Sequence, residues 1–353
     1  MPSPSGDGRT YKADAHCFHT TESQVVPFMR ILLDGNGIYP GLPGYHIRTE
    51  HFDYKAGATL PLPFAKKDTS SAGAPVTDFV TDASAGHYNM ALAADTEAEI
   101  LTLYHNDNLS VDPDLQPIIA VRLKINPDVT GATGQFNSGT LVVGLGSAQN
   151  DTPDSVARNA WIRINNLGTG TGYLVNNDPG PYAVGATAIT VDTGSGTIVA
   201  GDRVVFEDDT TVYRVTGTLA ANVFSITSDI ATNPGLQATL ANNKTVTVVP
   251  RALYLEVDDA TTDTDDRDSL VNWANDTWMT LVVDMTDLAS VKFYVYTAAN
   301  GWKSLNRGAA ISAAAMTGSA ENVQPYIQLQ KASSANNDHS ILIDKIWVAQ
   351  KEA

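Results

Sequence analysis

The sequence predicts an all-β fold in which a small β domain is inserted into a larger sandwich. Short segments that alternate apolar and polar residues recur along the chain, and Gly, Asn, Asp, Thr and Pro separate them. Segments 161–165 and 252–257 both alternate as half-buried strands do, yet residues with strands of their own lie between them. We therefore expect these two segments to be neighbouring strands of one sheet, with the intervening unit grafted into the loop that connects them.

The predicted organisation has three parts. Residues 1–46 form an extended N-terminal arm, residues 47–180 and 251–353 form the sandwich, and residues 181–250 form the inserted small β domain, which is expected to be barrel-like. The sandwich strands are expected at 47–54, 76–81, 87–92, 99–103, 117–125, 139–145, 160–165, 253–257, 278–284, 290–296, 323–330 and 340–348. The inserted strands are expected at 188–192, 203–206, 212–216, 223–226 and 245–249.

Prolines and glycines interrupt the N-terminal arm, whereas its middle is apolar enough to require burial. Two arrangements satisfy this pattern. The arm packs along its own sandwich as an edge strand, or it reaches a neighbouring subunit and adds a strand or fills a groove there. The residues predicted to contact a partner are Phe28, Ile31, Leu32, Leu33, Ile38 and Tyr39.

The composition of the chain disfavours several classes of partner. The chain of 353 residues has 22 basic and 39 acidic side chains and a net charge of −17, which disfavours nucleic acid and anionic membranes. The acidic surface favours solubility, or alternatively contact with a basic partner or divalent cations. No apolar stretch approaches the roughly 20 residues of a membrane span. Residues 1–6 do not resemble a signal peptide, so we expect synthesis in a host cytoplasm.

Metal and cofactor sites are not expected. Cys17 is the sole cysteine, so no intramolecular disulfide forms, and the neighbouring His16 and His19 lack a second cluster to complete a zinc site. The acidic run 258–268 is interpreted as a solvated loop, with calcium binding as the alternative because carboxylate oxygens suit that ion.

Aromatic side chains in the C-terminal third are candidates either for packing or for stacking against sugar rings. These residues are Trp273, Trp278, Tyr294, Tyr296 and Trp302. Trp302 follows Asn300-Gly301 at a predicted hairpin tip, so we expect it to be the most exposed of these rings.

The C-terminal strands at 278–284, 291–296, 324–330 and 341–348 resemble the closing strands of concanavalin A-like lectin and glucanase sandwiches. The segment 50–53 resembles the first strand of that family. This resemblance implies a concanavalin A-like jelly roll. The paired-carboxylate phrase of the family's hydrolases is missing, and Glu97 and Glu99 have the spacing of two catalytic carboxylates without the rest of the motif. We therefore expect no enzyme activity.

The segments 186–192, 198–206 and 213–216 are similar to small β modules in coat and head proteins of tailed bacteriophages. This second resemblance implies a virion structural protein. We expect a decoration or cement protein on the capsid surface, which binds the major capsid protein. We also expect it to associate with itself, with a homotrimer as the preferred oligomeric state. The alternative is a lectin-like surface protein that attaches to cell-surface glycans.

Overall fold

A computed structural model describes residues 45–52, 57–71, 73–80, 86–126, 139–164, 170–177, 180–209, 211–228, 233–249, 252–273, 276–306, 310–331 and 339–352. The six predicted contact residues of the arm, Phe28, Ile31, Leu32, Leu33, Ile38 and Tyr39, lie outside these residues, as do Cys17 and its histidine neighbours.

The described part of the chain is built almost wholly of strands. The first ten are β1 (Tyr45–His51), β2 (Ala65–Asp68), β3 (Val76–Val80), β4 (His87–Ala91), β5 (Glu99–Tyr104), β6 (Ile118–Asn126), β7 (Gly139–Gly146), β8 (Asn159–Ile164), β9 (Ala188–Thr190) and β10 (Arg203–Phe206). The next ten are β11 (Tyr213–Ala220), β12 (Val223–Thr227), β13 (Val246–Val249), β14 (Ala252–Asp258), β15 (Asp263–Asn272), β16 (Trp278–Asp284), β17 (Lys292–Thr297), β18 (Gly301–Ser304), β19 (Gln324–Lys331) and β20 (Ser340–Lys351).

Two antiparallel sheets pack face to face and form the sandwich. One has the strand order β18-β17-β16-β6-β20-β4-β3, with β1 also paired to β20, and the other has the order β15-β14-β8-β7-β19-β5-β2. Strands β8 and β14 pair directly, with Ile162 opposite Leu255, so the predicted neighbours on either side of the insertion are confirmed. The predicted all-β jelly-roll sandwich is confirmed as well.

Alternation along the strands decides which side chains fill the space between the two sheets. On β7, Leu141, Val143 and Leu145 are buried in the core between the sheets, in one cluster with Ile162 of the neighbouring β8 and Leu255 of β14. Each large apolar side chain removed from water in this way contributes about 1.5–3 kcal/mol. The period-two pattern in the sequence is therefore the reason that these segments become two-sided strands.

A bulge at Asp344 lets one edge of β20 serve two partners. Strand β4 pairs with β20 before the bulge and β1 pairs with it afterwards, while β6 runs along the opposite edge. The amide of Phe52 donates a 3.1 Å hydrogen bond to the carbonyl oxygen of Asp344 and closes the gap between the two partners. An extra residue in one strand shifts the register locally without ending the sheet.

The segment between β8 and β14 forms a third, separate sheet. Its order is β13-β10-β11-β12-β9, and it buries a core of its own around Phe206, Tyr213 and Phe224. The predicted barrel-like closure is wrong for the described residues: isolated bridges at Leu174 and Val175 connect to the two sheet edges, and no continuous ladder closes the sheet. The predicted domain boundaries stay a prediction.

Candidate binding cleft

A cleft of about 470 Å³ opens where the five-stranded sheet meets the side of the sandwich. It lies between the edge strand β15 of one sandwich sheet and strands β16–β18 of the other, and β10 covers it from the inserted unit. Ligand pockets in proteins usually measure ~300–1,000 Å³ and combine an apolar lining with a few polar groups. The cleft therefore has the size and position of a ligand site.

The floor of the cleft is the end of the sandwich core. Trp273, Met279 and Val295 line the cleft and also belong to the hydrophobic cluster between the two sheets. Trp273 is only 4% exposed, so the indole is held by packing on most of its surface. This packing fixes the shape of the floor before any ligand arrives.

The rim is polar and open to solvent. Asn272 ends β15, and Asn300 and Lys303 lie on the β17–β18 hairpin, where Thr297 pairs with Gly301. Gly301 has a φ of +65°, which glycine adopts without strain and which allows the tight turn between the two strands. The hairpin therefore brings an amide, a hydroxyl and an ammonium group to one side of the cleft.

Arg203 is the more deeply buried of the two cations in the described lining. It is 5% exposed, and its guanidinium donates a hydrogen bond to Oδ1 of Asn272 across the junction. No aspartate or glutamate is among the described lining residues, and no described carboxylate forms an ion pair with Arg203. A nearly buried guanidinium with a neutral partner is an uncommon arrangement, because buried charges are usually paired.

A second contact between the inserted unit and the sandwich lies next to Arg203. The hydroxyl of Tyr254 on β14 donates a 2.9 Å hydrogen bond to the carbonyl oxygen of Gly201, two residues before Arg203. Because Tyr254 itself is buried, this bond holds the start of β10 over the cleft.

The aromatic residues singled out in the sequence do not gather in one place. Trp273 alone among them lines the cleft. Tyr296 and Trp302 contact each other with ring centroids 5.0 Å apart. Trp302 is half-buried, as Tyr296 is, and packs against an apolar cluster on the outer face of the eight-stranded sheet that also contains Tyr294, which supports the packing alternative for this ring.

Trp278 makes polar contacts on that same outer face. Its ring lies 4.8 Å from the ring of His87, and the guanidinium carbon of Arg122 lies 4.9 Å from its centre. Arg122 in turn pairs with Asp344 at the β20 bulge. Trp278 therefore stabilises the sheet surface.

The carboxylates closest to a catalytic spacing have a structural explanation. Glu99 is fully buried, accepts a 2.6 Å hydrogen bond from the amide of Ala93, and lies 3.4 Å from the ammonium of Lys331. Burial raises the pKa of Glu99 despite this amide and Lys331. Its contacts are those of a buried structural ion pair.

The interpretation of 258–268 as a solvated loop is wrong for its second half, because Asp263–Asn272 form β15. At the turn, Asp259 accepts hydrogen bonds from the amides of Thr261, Thr262 and Ala315. Burial opposes ionisation of Asp259, but the three amides outweigh it and hold the pKa of this carboxyl below its usual range. Within the part of the chain that the structure describes, no three His, Cys, Asp or Glu side chains are placed to hold a metal ion.

Comparisons with known proteins find similarity to solved structures at low sequence identity. No family model and no curated protein matches the sequence. The exoplasmic/lumenal domain of VIP36 bound to Ca²⁺ and mannose is 11% identical, with 87% of this chain and 93% of that chain covered and a TM-score of 0.36. The lectin UEA-II complexed with galactose is 7% identical, with 86% and 98% covered and a TM-score of 0.39.

A phage protein is also among the structural neighbours. The carbohydrate esterase of the Shiga toxin-encoding bacteriophage phi24B is 13% identical, with 81% of this chain and 90% of that chain covered and a TM-score of 0.28. Similarity at this level identifies no function for the chain. Among the helices in the described ranges, none has the length and apolar character needed to cross a membrane.

Proposed function

We propose that this chain is a carbohydrate-binding surface protein without catalytic activity, and that it binds saccharide in the cleft between the inserted sheet and the sandwich. The observation that carries the proposal is the combination of a rigid apolar floor at Trp273 with an open rim of amide, hydroxyl and cationic groups.

This combination fits the chemistry of a sugar ring. A saccharide presents apolar C–H groups on its faces and hydroxyl groups around its edge, each of which both donates and accepts hydrogen bonds. The side-chain amides of Asn272 and Asn300 supply both a donor and an acceptor, and the hydroxyl of Thr297 does the same. The apolar floor then favours a ring that displaces water from Met279 and Val295.

A glycan array tests the proposal with two matched variants. Ala299 lines the cleft and is exposed, so A299W fills the cleft without removing a hydrogen bond. Val184 is 52% exposed on the inserted unit and does not line the cleft, so V184W is the control. We expect the wild type and V184W to bind the same glycans and A299W not to bind them. If the wild-type protein binds no glycan on the array, the proposal is overturned.

A second candidate function, decoration of a phage capsid, is supported by a different surface. Leu62 and Val76 are exposed by 87% and 50% beside a groove of about 560 Å³ between the edge strands β2 and β3. Large exposed apolar side chains next to a groove are typical of contact with another protein. The ammonium of Lys66 on β2 donates hydrogen bonds to the carbonyl and hydroxyl oxygens of Thr77 on β3 at 3.0 and 2.8 Å and links the two edge strands.

Electron cryomicroscopy of tailed-phage particles assembled with and without the chain tests this second function. We expect trimeric density on the capsid surface with the wild-type chain, and its loss with the double variant L62S/V76S. The contacts of Phe28 and the other arm residues with the major capsid protein stay a prediction, which deletion of residues 1–44 tests on the same particles. Particles that carry no density for the wild-type chain would contradict decoration and leave the saccharide proposal standing.

A further inference from the structure

We infer that the saccharide bound in the cleft is acidic, and that a carboxylate on the sugar pairs with Arg203 and Lys303. The inference rests on the proposed function, since it names the class of glycan that the same cleft selects. Saccharides of this class contain uronic or sialic acid units.

The charge of the cleft is opposite to that of the chain. The protein has 39 acidic and 22 basic residues and a net charge of −17, yet the charged side chains among the described lining residues are Arg203 and Lys303. A cationic cleft favours anionic ligands, because opposite charges attract each other.

The state of Arg203 gives the strongest reason. A guanidinium has five N–H donors, and among the residues that the structure describes, the side-chain partner of Arg203 is the neutral amide oxygen of Asn272. Removing a cation from water without a counter-charge is costly, and a carboxylate that binds the fork of an arginine offsets that cost with two charge-assisted hydrogen bonds. The cleft is the route by which such an anion reaches the guanidinium.

Neighbouring charges strengthen the field. Arg214 on β11 is directly opposite Arg203 in the register of the two strands, and like charges in opposed positions repel each other. The carboxylate of Asp276, one residue before the lining residue Thr277, is engaged by the ammonium of Lys124 at 2.8 Å. Asp276 is thus paired with Lys124 rather than with Arg203.

The experiment uses saccharides in matched pairs that differ only in charge. Oligogalacturonates are printed beside their methyl esters, and sialylated glycans beside the same glycans without sialic acid. In each pair that the protein binds, we expect the affinity for the acidic member to be at least ~10-fold higher, since one charge-assisted contact of ~1.4 kcal/mol gives that ratio. Titration calorimetry on the tightest pair, at two salt concentrations, should show the preference shrinking as salt rises.

Two variants test the named cations. R203Q keeps an amide donor beside Asn272 and removes the charge, and K303Q removes the charge of an exposed rim residue whose loss does not threaten folding. We expect each to reduce the acidic preference several-fold, whereas K351Q, a matched change at the exposed end of β20, leaves it unchanged.

The outcomes separate the inference from the proposed function. Equal binding of neutral and acidic members would overturn the inference and leave saccharide binding intact. A preference for acidic saccharides that survives both R203Q and K303Q would do the same. Binding of other glycans on the array but of neither member of any pair would also overturn the inference, whereas binding of no saccharide at all would overturn the proposed function itself.

Discussion

The hydroxyl of Tyr254 on β14 lies 2.9 Å from the carbonyl oxygen of Gly201 and donates a hydrogen bond to it. This bond joins the sandwich to the loop that precedes β10, and β10 contributes Arg203 to the cleft. The shape of the cleft therefore depends on how firmly the inserted sheet is held at this point.

Replacing Tyr254 with Phe should lower the free energy of unfolding by about 1 kcal/mol, because the substitution leaves the buried ring in place and removes one hydrogen bond. Urea unfolding followed by circular dichroism measures the change. Y296F is the matched control, since Tyr296 is half-buried and its ring contacts Trp302. Equal stability of the two variants would show that the Tyr254 contact does not hold the junction.

The ion pair between Arg163 and Glu256 lies on the outer face of the seven-stranded sheet. Breaking it should lower the free energy of unfolding by more than the loss of the Tyr254 hydrogen bond does. The guanidinium lies 2.9 Å from Glu256 Oε2, and the side chains are 9% and 1% exposed. R163M leaves a carboxylate buried without its arginine, which should cost about 3–5 kcal/mol. The control K244M breaks a pair with the exposed Asp208 and should leave stability nearly unchanged. Similar losses from both variants would contradict the buried status of the first pair.

His105 should make the protein less stable as the pH falls. Burial, with a smaller contribution from Arg48, lowers the pKa of His105 from 6.5 to about 4, so the folded state holds a neutral imidazole. The unfolded chain binds the proton more readily between these two values, and the stability that depends on neutral His105 is complete above pH 6.5 and is lost towards pH 4.

The difference is measurable by comparing unfolding at two pH values. Between ~pH 7.5 and ~pH 5 the wild type should lose about 2 kcal/mol more than H105Q, which has no imidazole to protonate. The exposed His46 provides the control, and H46Q should follow the wild type. A pH dependence in H105Q as steep as that of the wild type would rule out His105 as its source.

Gly144 allows β7 and β8 to approach each other. A Cβ atom at this position would lie 2.2 Å from the carbonyl oxygen of Ala160 and 2.6 Å from Cα of Trp161. G144A should therefore destabilise the protein by about 1–3 kcal/mol through overpacking. G180A is the control because nothing lies within 4 Å of its added Cβ. Thermal unfolding distinguishes them, and equal melting temperatures would contradict the close strand contact.

The strands that alternate clearly were predicted from the sequence, whereas some edge strands that lack this alternation were missed. Strands β10 and β16 begin and end at the predicted residues. Strand β2, with the sequence Ala-Lys-Lys-Asp, and the acidic β15 were not predicted as strands. Both lie at edges of the seven-stranded sheet, where charged residues protect the free backbone and remove the apolar alternation on which prediction depends.

The cleft could not be predicted from local patterns. Arg203 and Lys303 are a hundred residues apart, and each alone is typical of an ordinary surface cation. They become one site only because the insertion places β10 beside the open edge of the sandwich. Trp273 was singled out for its ring, but nothing in its neighbourhood in the sequence indicates which side of the fold it faces.

A crystal structure of the chain with the saccharide that the array binds most tightly tests the central claim most directly. We predict sugar density over Trp273, with a carboxylate between Arg203 and Lys303. Sugar density on any other surface, such as the outer face of the seven-stranded sheet, would contradict the assignment of the cleft as the binding site.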